Sequence, residues 1–303
     1  MTRRRFIGMS VPLALWPLAA CGAHTHAAAD RPESEVGFSP IEVAGRRVLR
    51  IGNPTAPPLL LLHELPGMTP DDMRLARRLA EQNFYVHLPL LFGDVGQDST
   101  TAGYWQACVK GPFECSERSA RSEILKWLEG LSDTIACETG NSCAKRQIGV
   151  IGMCLTGIFP LALLRTGVAA AVLCQPTVPF SFIPPRPVGK QKEDLGLSAA
   201  DLARAVGSDV SFLALRYASD SLCPPERMAR IKETFKDRVA VGEVANRKGH
   251  STLAGSFDAD AFDDAVAYLT VRLKPATGPR RMKLAKLNGR NCQITADGKW
   301  AGV

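Results

Sequence analysis

Gly152-Met153-Cys154-Leu155-Thr156-Gly157 sets a cysteine between two glycines, directly after an apolar run and at the start of a helix-prone stretch. A tight strand-to-helix turn of this kind lifts a nucleophile above a sheet, and Gly152 leaves room for the bend. A thiol suits attack on a carbonyl carbon, because its thiolate is reachable near neutral pH and the positive end of a following helix favours that anion. Downstream, Asp220 closes Tyr217-Ala218-Ser219-Asp220 after an apolar run, and His250 stands in Gly249-His250-Ser251 beyond the next one. Taken singly, the cysteine reads as a small buried hydrophobe, the aspartate as a loop cap and the histidine as a surface residue. Together they give nucleophile, acid and histidine in the order an open parallel sheet requires, each at the carboxyl end of a strand. His250 would carry the proton taken from the thiol and return it to a leaving group, while Asp220 fixes its tautomer. The chemistry implied is acyl transfer.

The elements that must position these residues are legible as alternating patterns. Ile41 to Ala44 and Arg47 to Ile51 flank a glycine-containing turn and predict a hairpin. Leu59-Leu60-Leu61-Leu62 is a continuous apolar run of the kind buried on both faces of a parallel sheet. Thr69-Pro70-Asp71-Asp72 supplies a helix cap, a first-turn proline and early acids, followed by Met73, Ala76, Leu79 and Ala80 on one face. The alternation continues: strand 84–88, helix 117–128, strand 147–151, a helix from Cys154, strand 169–173, a proline-rich loop, strand 210–215, helix 225–235, strand 239–244 and helix 258–274. This order specifies an α/β fold with a doubly wound, mostly parallel sheet and helices on both faces. Residues 275–303 carry Asn288-Gly289 and Asp297-Gly298, signals for hairpin turns.

The chain of 303 residues is 46% hydrophobic and 22% charged, which suits one sizeable globular core. Its formal charge of +7 is confined to the ends. Arg3, Arg4 and Arg5 supply three positive charges, and residues 275–303, a basic C-terminal extension, carry six basic residues against Asp297. What remains sums to about −1, so nucleic acid is set aside as a partner. The three arginines precede an apolar run from Phe6 to Ala20, which predicts an export signal over residues 1–20. Thr2 to Ile7 resembles a twin-arginine signal, and Leu18-Ala19-Ala20-Cys21 resembles the cleavage box of bacterial lipoproteins. On that reading Cys21 is lipidated, residues 21–39 form a tether, and the protein is periplasmic and membrane-anchored. The alternative is an ordinary signal peptide with an incidental cysteine.

Nine cysteines in an exported chain permit disulfides among Cys108, Cys115, Cys137 and Cys143, with three possible pairings, or free thiols. No Cys-x-x-Cys occurs, so zinc and thioredoxin-like readings lose their usual spacing. Of the five histidines, His24 and His26 fall in the tether, while His63 and His87 sit at strand ends with no acid spaced to serve them.

Glu64 within His63-Glu64-Leu65-Pro66-Gly67, the Cys154 segment, Asp220 and Gly249-His250 together resemble the dienelactone hydrolases, over roughly residues 40–274. The resemblance implies an α/β-hydrolase that cleaves a carboxylic ester or lactone, with no metal and no organic cofactor. It implies that Glu64 contacts the resting thiol and that the amides of Leu65 and Leu155 form an oxyanion hole, whose donors would contribute several kcal/mol to catalysis. There are two departures. Thr156 stands where the family usually has glycine, which implies a tighter or shifted elbow. The family also binds a substrate carboxylate partly through an arginine shortly after the histidine, and Ser251-Thr252-Leu253-Ala254 offers none. Arg118 and Arg121 are alternative cations, and Tyr104 and Trp105 are candidates to line a pocket. A thioesterase or aryl esterase would use the same triad, and a membrane-tethered binding protein that has lost turnover would keep the same fold. A redox role would need Cys174 or Cys223 as a partner for Cys154.

Overall fold

Uninterrupted apolar runs form the middle of the sheet, and their alternate residues feed two separate cores. The computed structural model describes residues 35–96, 118–137, 147–164, 167–178, 192–245, 248–274, 280–283, 291–294 and 299–301. These fall in one unit spanning residues 32–303. The principal strands are β1 Ser39–Val43, β2 Arg46–Ile51, β3 Pro58–Leu62, β4 Tyr85–Pro89, β5 Ile148–Met153, β6 Val168–Cys174, β7 Phe212–Tyr217 and β8 Val239–Val244. They lie side by side in the order β1-β2-β4-β3-β5-β6-β7-β8, antiparallel at the β1-β2-β4 edge and parallel from β4 onward. The helices are α1 Pro70–Glu81, α2 Arg118–Cys137, α3 Phe159–Ala162, α4 Ala199–Gly207, α5 Pro225–Phe235 and α6 Ala259–Leu273.

Leu60, Leu62, Ile148 and Val150 point to the face covered by α2, α3, α4 and α5. Leu59, Leu61, Ile151 and Met153 point to the face covered by α1 and α6. The period of two thus divides each buried strand between two layers of helices, which is why these strands read as continuous rather than alternating apolar runs. From β3 the chain passes through α1 to β4 on one side, and the later strands are added on the other. The strand order therefore reverses between β3 and β5, the point beyond whose carboxyl ends open α/β sheets place their binding sites.

Most predicted elements fall within two or three residues of their expected places, and the differences have local causes. The hairpin turn sits at Ala44 and Gly45, both with positive φ (47° and 77°), the backbone of a type I′ turn. The helix expected from Cys154 is interrupted: a 3₁₀ turn over Cys154–Thr156 leads through Gly157 to the four-residue α3, whose proline at position 160 stands in its first turn. The chain expected to be only loop before β7 contains α4, capped by Ser198, whose hydroxyl accepts from the Asp201 N–H at 3.0 Å. At the C-terminus β9 Arg280–Lys283, β10 Asn291–Ile294 and β11 Trp300–Ala301 form an antiparallel sheet. The Asn-Gly and Asp-Gly signals fall between these strands, outside the described residues. Trp300 stacks on Tyr268 of α6 at 5.5 Å and donates to the Phe212 carbonyl at 3.0 Å, so the extension is bound to the main sheet. Among the described residues no helix is long and apolar enough to cross a membrane.

The cap of α1 contains a carboxyl in an unusual state. The Thr69 N–H and hydroxyl donate to Asp72 Oδ2 at 2.8 and 2.7 Å, and the Asp72 N–H donates back to Thr69 Oγ1 at 3.3 Å. Asp72 is fully buried, and its Oδ1 has no hydrogen-bond partner among the described residues. Burial, reinforced by the nearby charge of Glu64, holds this carboxyl well above the usual aspartate range. The native state therefore retains a proton that the unfolded chain releases near pH 4. Stability from this group is full below that pH and is lost as pH rises through the native value. Asp72→Asn, which stays neutral, is expected to raise Tm by a few degrees at pH 8. The gain should vanish by about pH 4, as thermal melts at the two pH values will register.

Candidate active site

Cys154 lies at the carboxyl end of β5 with φ of 53°, a left-handed conformation that is rare for a residue with a Cβ. Its neighbours enforce this. A Cβ on Gly152 would come within 2.2 Å of the Thr156 carbonyl, and one on Gly157 within 2.7 Å of the Cys174 carbonyl. The Cys154 carbonyl accepts from the N–H groups of Gly157 at 3.0 Å and Thr177 at 2.9 Å, which ties the turn to the chain leaving β6. Thr156, expected to tighten or shift the elbow, fits it. Its buried hydroxyl accepts from the Met153 N–H at 3.1 Å and lies within donating distance of the carbonyls of Met153 (2.9 Å), Leu62 (3.1 Å) and His63 (3.1 Å). It therefore links the end of β5 to the end of β3, where Glu64 begins. The interrupted helix also changes the electrostatic argument: a 3₁₀ turn followed by a four-residue helix lacks the long aligned dipole expected to favour the thiolate.

Around this elbow the fold brings together the residues that the sequence singled out. A carboxylate oxygen of Glu64, the Cys154 Sγ and a ring nitrogen of His250 all lie within 4.8 Å of one another. His250 Nδ1 is 2.8 Å from Asp220 Oδ2, and its Nε2 is buried without a hydrogen-bond partner among the described residues. Asp220 Oδ1 accepts from the N–H groups of Leu222 at 2.9 Å and Cys223 at 3.3 Å, so each carboxylate oxygen has a defined task. Burial disfavours a charged His250, but the negative charge of Cys154 and then the Asp220 carboxylate outweigh it and raise its pKa well above the ordinary histidine value. Glu64 is 7% exposed, and its Oε2 has no hydrogen-bond partner among the described residues. Burial raises its pKa, against the lowering influence of His250 and of the polar groups of Ser251 and Gln175. Leu65 and Leu155 are buried beside Glu64 and Cys154.

Several supporting residues were not legible beforehand. His63 Nε2 accepts from the Leu91 N–H at 3.0 Å, so Nδ1 carries the proton and donates to the Glu64 carbonyl at 3.1 Å. Burial lowers this histidine to about 4, and it serves as a neutral brace between the ends of β3 and β4. Gln175 Oε1 accepts from the Thr252 N–H at 3.1 Å and hydroxyl at 2.7 Å, fixing the loop that carries His250. Arg216, buried within β7, donates to the carbonyls of Cys223 (3.0 Å), Ala218 (3.0 Å) and Asp220 (3.3 Å). Arg227, also buried, donates to the carbonyls of Leu222 (2.9 Å), Pro176 (3.1 Å) and Asp194 (2.8 Å). These two guanidiniums hold the Asp220 loop from below. A charged residue in the apolar run Phe212-Leu213-Ala214-Leu215-Arg216-Tyr217 was the available signal for the first of them.

Other expected contributors lie elsewhere. Cys21, Tyr104, Trp105, Cys108, Cys115 and Cys143 are outside the described residues, as are the side chains of Arg118 and Arg121 in α2. Cys137 is exposed with a free thiol at the end of α2, and Cys174 and Cys223 are buried free thiols. Burial holds Cys223 up at about 12 and Cys174 higher still.

Because the Thr156 hydroxyl serves the elbow and the end of β3 together, replacing it with an isosteric apolar group should cost more than its packing. Thr156→Val leaves buried backbone groups unpaired and is expected to destabilise the protein by about 1–3 kcal/mol. Thr156→Ser, which retains the hydroxyl, should lose less than half as much in denaturant titrations.

A family model described as the dienelactone hydrolase family matches residues 47–244, more than half of the chain. No curated protein matches the sequence. Among solved structures, the fold is similar to that of a protein from Klebsiella pneumoniae subsp. pneumoniae assigned as a dienelactone hydrolase. The two share 15% identity over 79% of this chain and 98% of that one, with a TM-score of 0.55. TT1662 from Thermus thermophilus aligns with a TM-score of 0.53 and 19% identity over 79% of this chain and 98% of its own. A dienelactone-hydrolase-like promiscuous phosphotriesterase from metagenomic libraries aligns at 0.51 and 21% identity, over 75% and 92% respectively. At these identities the likenesses concern the fold, and they agree with the eight-stranded sheet and its two helix layers. With the α/β-hydrolase fold in place and the family model spanning β2 to β8, the chain belongs to the dienelactone hydrolase family and is a carboxylic-ester hydrolase.

Proposed function

We propose that the protein cleaves a carboxylic ester or lactone with Cys154 as nucleophile, His250 as proton carrier and Asp220 as the residue that orients the histidine. The observation that carries this reading is the left-handed Cys154, with the His250 ring within 4.8 Å and that ring anchored to Asp220 at 2.8 Å. Sγ attacks the carbonyl carbon as a thiolate, and the resulting oxyanion is received by the amides of Leu65 and Leu155. His250 Nε2–H protonates the departing alkoxide as the tetrahedral adduct collapses to a thioester. Water, deprotonated by the same nitrogen, then hydrolyses the thioester and regenerates the thiol. Glu64 acts by its proximity to the resting sulfur.

The region just past His250 bears on the substrate. Thr252 is held by Gln175, Leu253 is fully buried and Ala254 is nearly so, and this stretch presents no cation to a substrate carboxylate. That favours uncharged acyl groups, as in an activated aryl ester or thioester, over an acidic lactone. For localisation the sequence alone is the support. We read residues 1–20 as an export signal and Cys21 as the site of a lipid anchor in the periplasm, ahead of the catalytic domain at residues 40–274.

Under mild reductant, the native chain is expected to turn over an activated aryl ester faster than a dienelactone. Cys154→Ala should lower either rate by at least about a thousandfold. Equal rates in the two proteins would remove the nucleophile assignment. No turnover in either, with alkylation of Cys154 slow and indifferent to His250→Ala, would move the assignment to a binding role. Metabolic labelling with a lipid probe should mark the native chain and not Cys21→Ser; labelling of both, or of neither, would refute the anchor.

A further inference from the structure

Three different donor atoms meet beyond the carboxyl ends of β3 and β5: a thiol sulfur, an imidazole nitrogen and a carboxylate oxygen, all within 4.8 Å of one another. Sulfur, nitrogen and oxygen donors bound to one tetrahedral zinc ion stand about 3.3–3.6 Å apart, as bond lengths of about 2.0–2.3 Å require. The cluster is thus within roughly 1.5 Å of a coordination sphere, a distance that small side-chain adjustments can span. Two further features point to a ligand there. Glu64 is nine-tenths buried with Oε2 unpartnered among the described residues, and His250 is fixed through its other nitrogen by Asp220 at 2.8 Å, which turns Nε2 away from that acid. A carboxylate bonded to the far nitrogen of a ligating histidine sets its tautomer and strengthens its donor atom.

We propose that Glu64, Cys154 and His250 form a three-residue site for Zn2+, whose binding reversibly inhibits the enzyme. On binding, Sγ gives up its proton to solvent as the sulfur–metal bond forms, and a proton held by the Glu64 carboxyl leaves in the same way. His250 binds as the neutral base through Nε2 and keeps the Nδ1 proton on its bond to Asp220. The metal thereby occupies the nucleophile and the proton carrier together, leaving a fourth position for water. A borderline-soft cation with tolerance for mixed sulfur, nitrogen and oxygen donors suits this set, whereas Mg2+ and Ca2+, which prefer oxygen, do not. The inhibitory consequence rests on the hydrolase reading above, but the binding does not.

The test uses the reduced full chain, dialysed against Zn2+ at about micromolar free concentration, and then against Co2+ as a spectroscopic substitute. Native protein is expected to hold one equivalent more than Cys154→Ser and to show a sulfur-to-cobalt charge-transfer band that the variant lacks. Near-identical circular dichroism would confirm that the serine protein is folded. Glu64→Gln should bind at least about tenfold more weakly, with Mg2+ unable to compete. Ester hydrolysis should fall in proportion to zinc occupancy and return on chelation. Equal metal content and no charge-transfer band in native and Cys154→Ser proteins would overturn the site even if Cys154 proves to be the nucleophile. A cysteine-dependent band in a protein whose hydrolysis does not need Cys154 would leave the site standing and overturn the hydrolase reading.

Discussion

Everything at this site hangs on one backbone angle. Cys154 occupies a left-handed conformation that costs on the order of 1 kcal/mol or more for a residue with a Cβ, and only an over-determined surrounding can maintain it. That surrounding is dense. Glycines 152 and 157 leave space that a methyl group would fill, two N–H groups hold the Cys154 carbonyl, and the Thr156 hydroxyl joins β5 to β3. Release of any of these contacts would let the turn relax toward ordinary helix, and the thiol would fall back toward the core that Cys154 already borders.

The remainder of the fold can be understood as support for the three loops that face this turn. Reversal of strand order between β3 and β5 leaves their carboxyl ends uncovered by either helix layer, so Glu64 and Cys154 meet there. The Asp220 loop is long and polar, and two buried guanidiniums hold it. Arg216 and Arg227 together satisfy carbonyls on both sides of the acid. Burying a guanidinium is costly unless its donors are matched, and here backbone carbonyls match them, joined at Arg216 by the Glu243 carboxylate at 2.5 Å. The guanidiniums thus hold the backbone around Asp220, and its Oδ2 meets the histidine at 2.8 Å.

The sequence made the β/α alternation, the order of Cys154, Asp220 and His250 and the cap of α1 legible, because each depends on short-range patterns such as apolar runs and a Thr-Pro-Asp-Asp start. It gave no access to contacts that join distant loops. Nothing local in Thr156 announces that its hydroxyl reaches Leu62, 94 positions away. Gln175 and His63 were equally silent, since their partners lie 77 and 28 residues along the chain. The helix after Cys154 was overestimated for a physical reason. Apolar composition from Ile158 to Leu164 favours helix, but Gly157 and Pro160 permit only a 3₁₀ turn and a single α-turn.

The shortened helix shifts the burden of stabilising a charged sulfur onto side chains. A long helix would have offered a fixed partial positive charge at its first turn, whereas here the positive partner close to Sγ is His250, which Asp220 and Cys154 together hold toward its protonated form. Glu64 lies on the other side of the sulfur, where burial raises its carboxyl above the usual range against the lowering influence of His250. The sulfur thus sits between a ring that Asp220 anchors at 2.8 Å and a buried carboxyl, the three donor atoms within 4.8 Å of one another. Glu64 and Cys154 reach this point from strands on either side of the same reversal of the sheet, and His250 reaches it from the loop after β8.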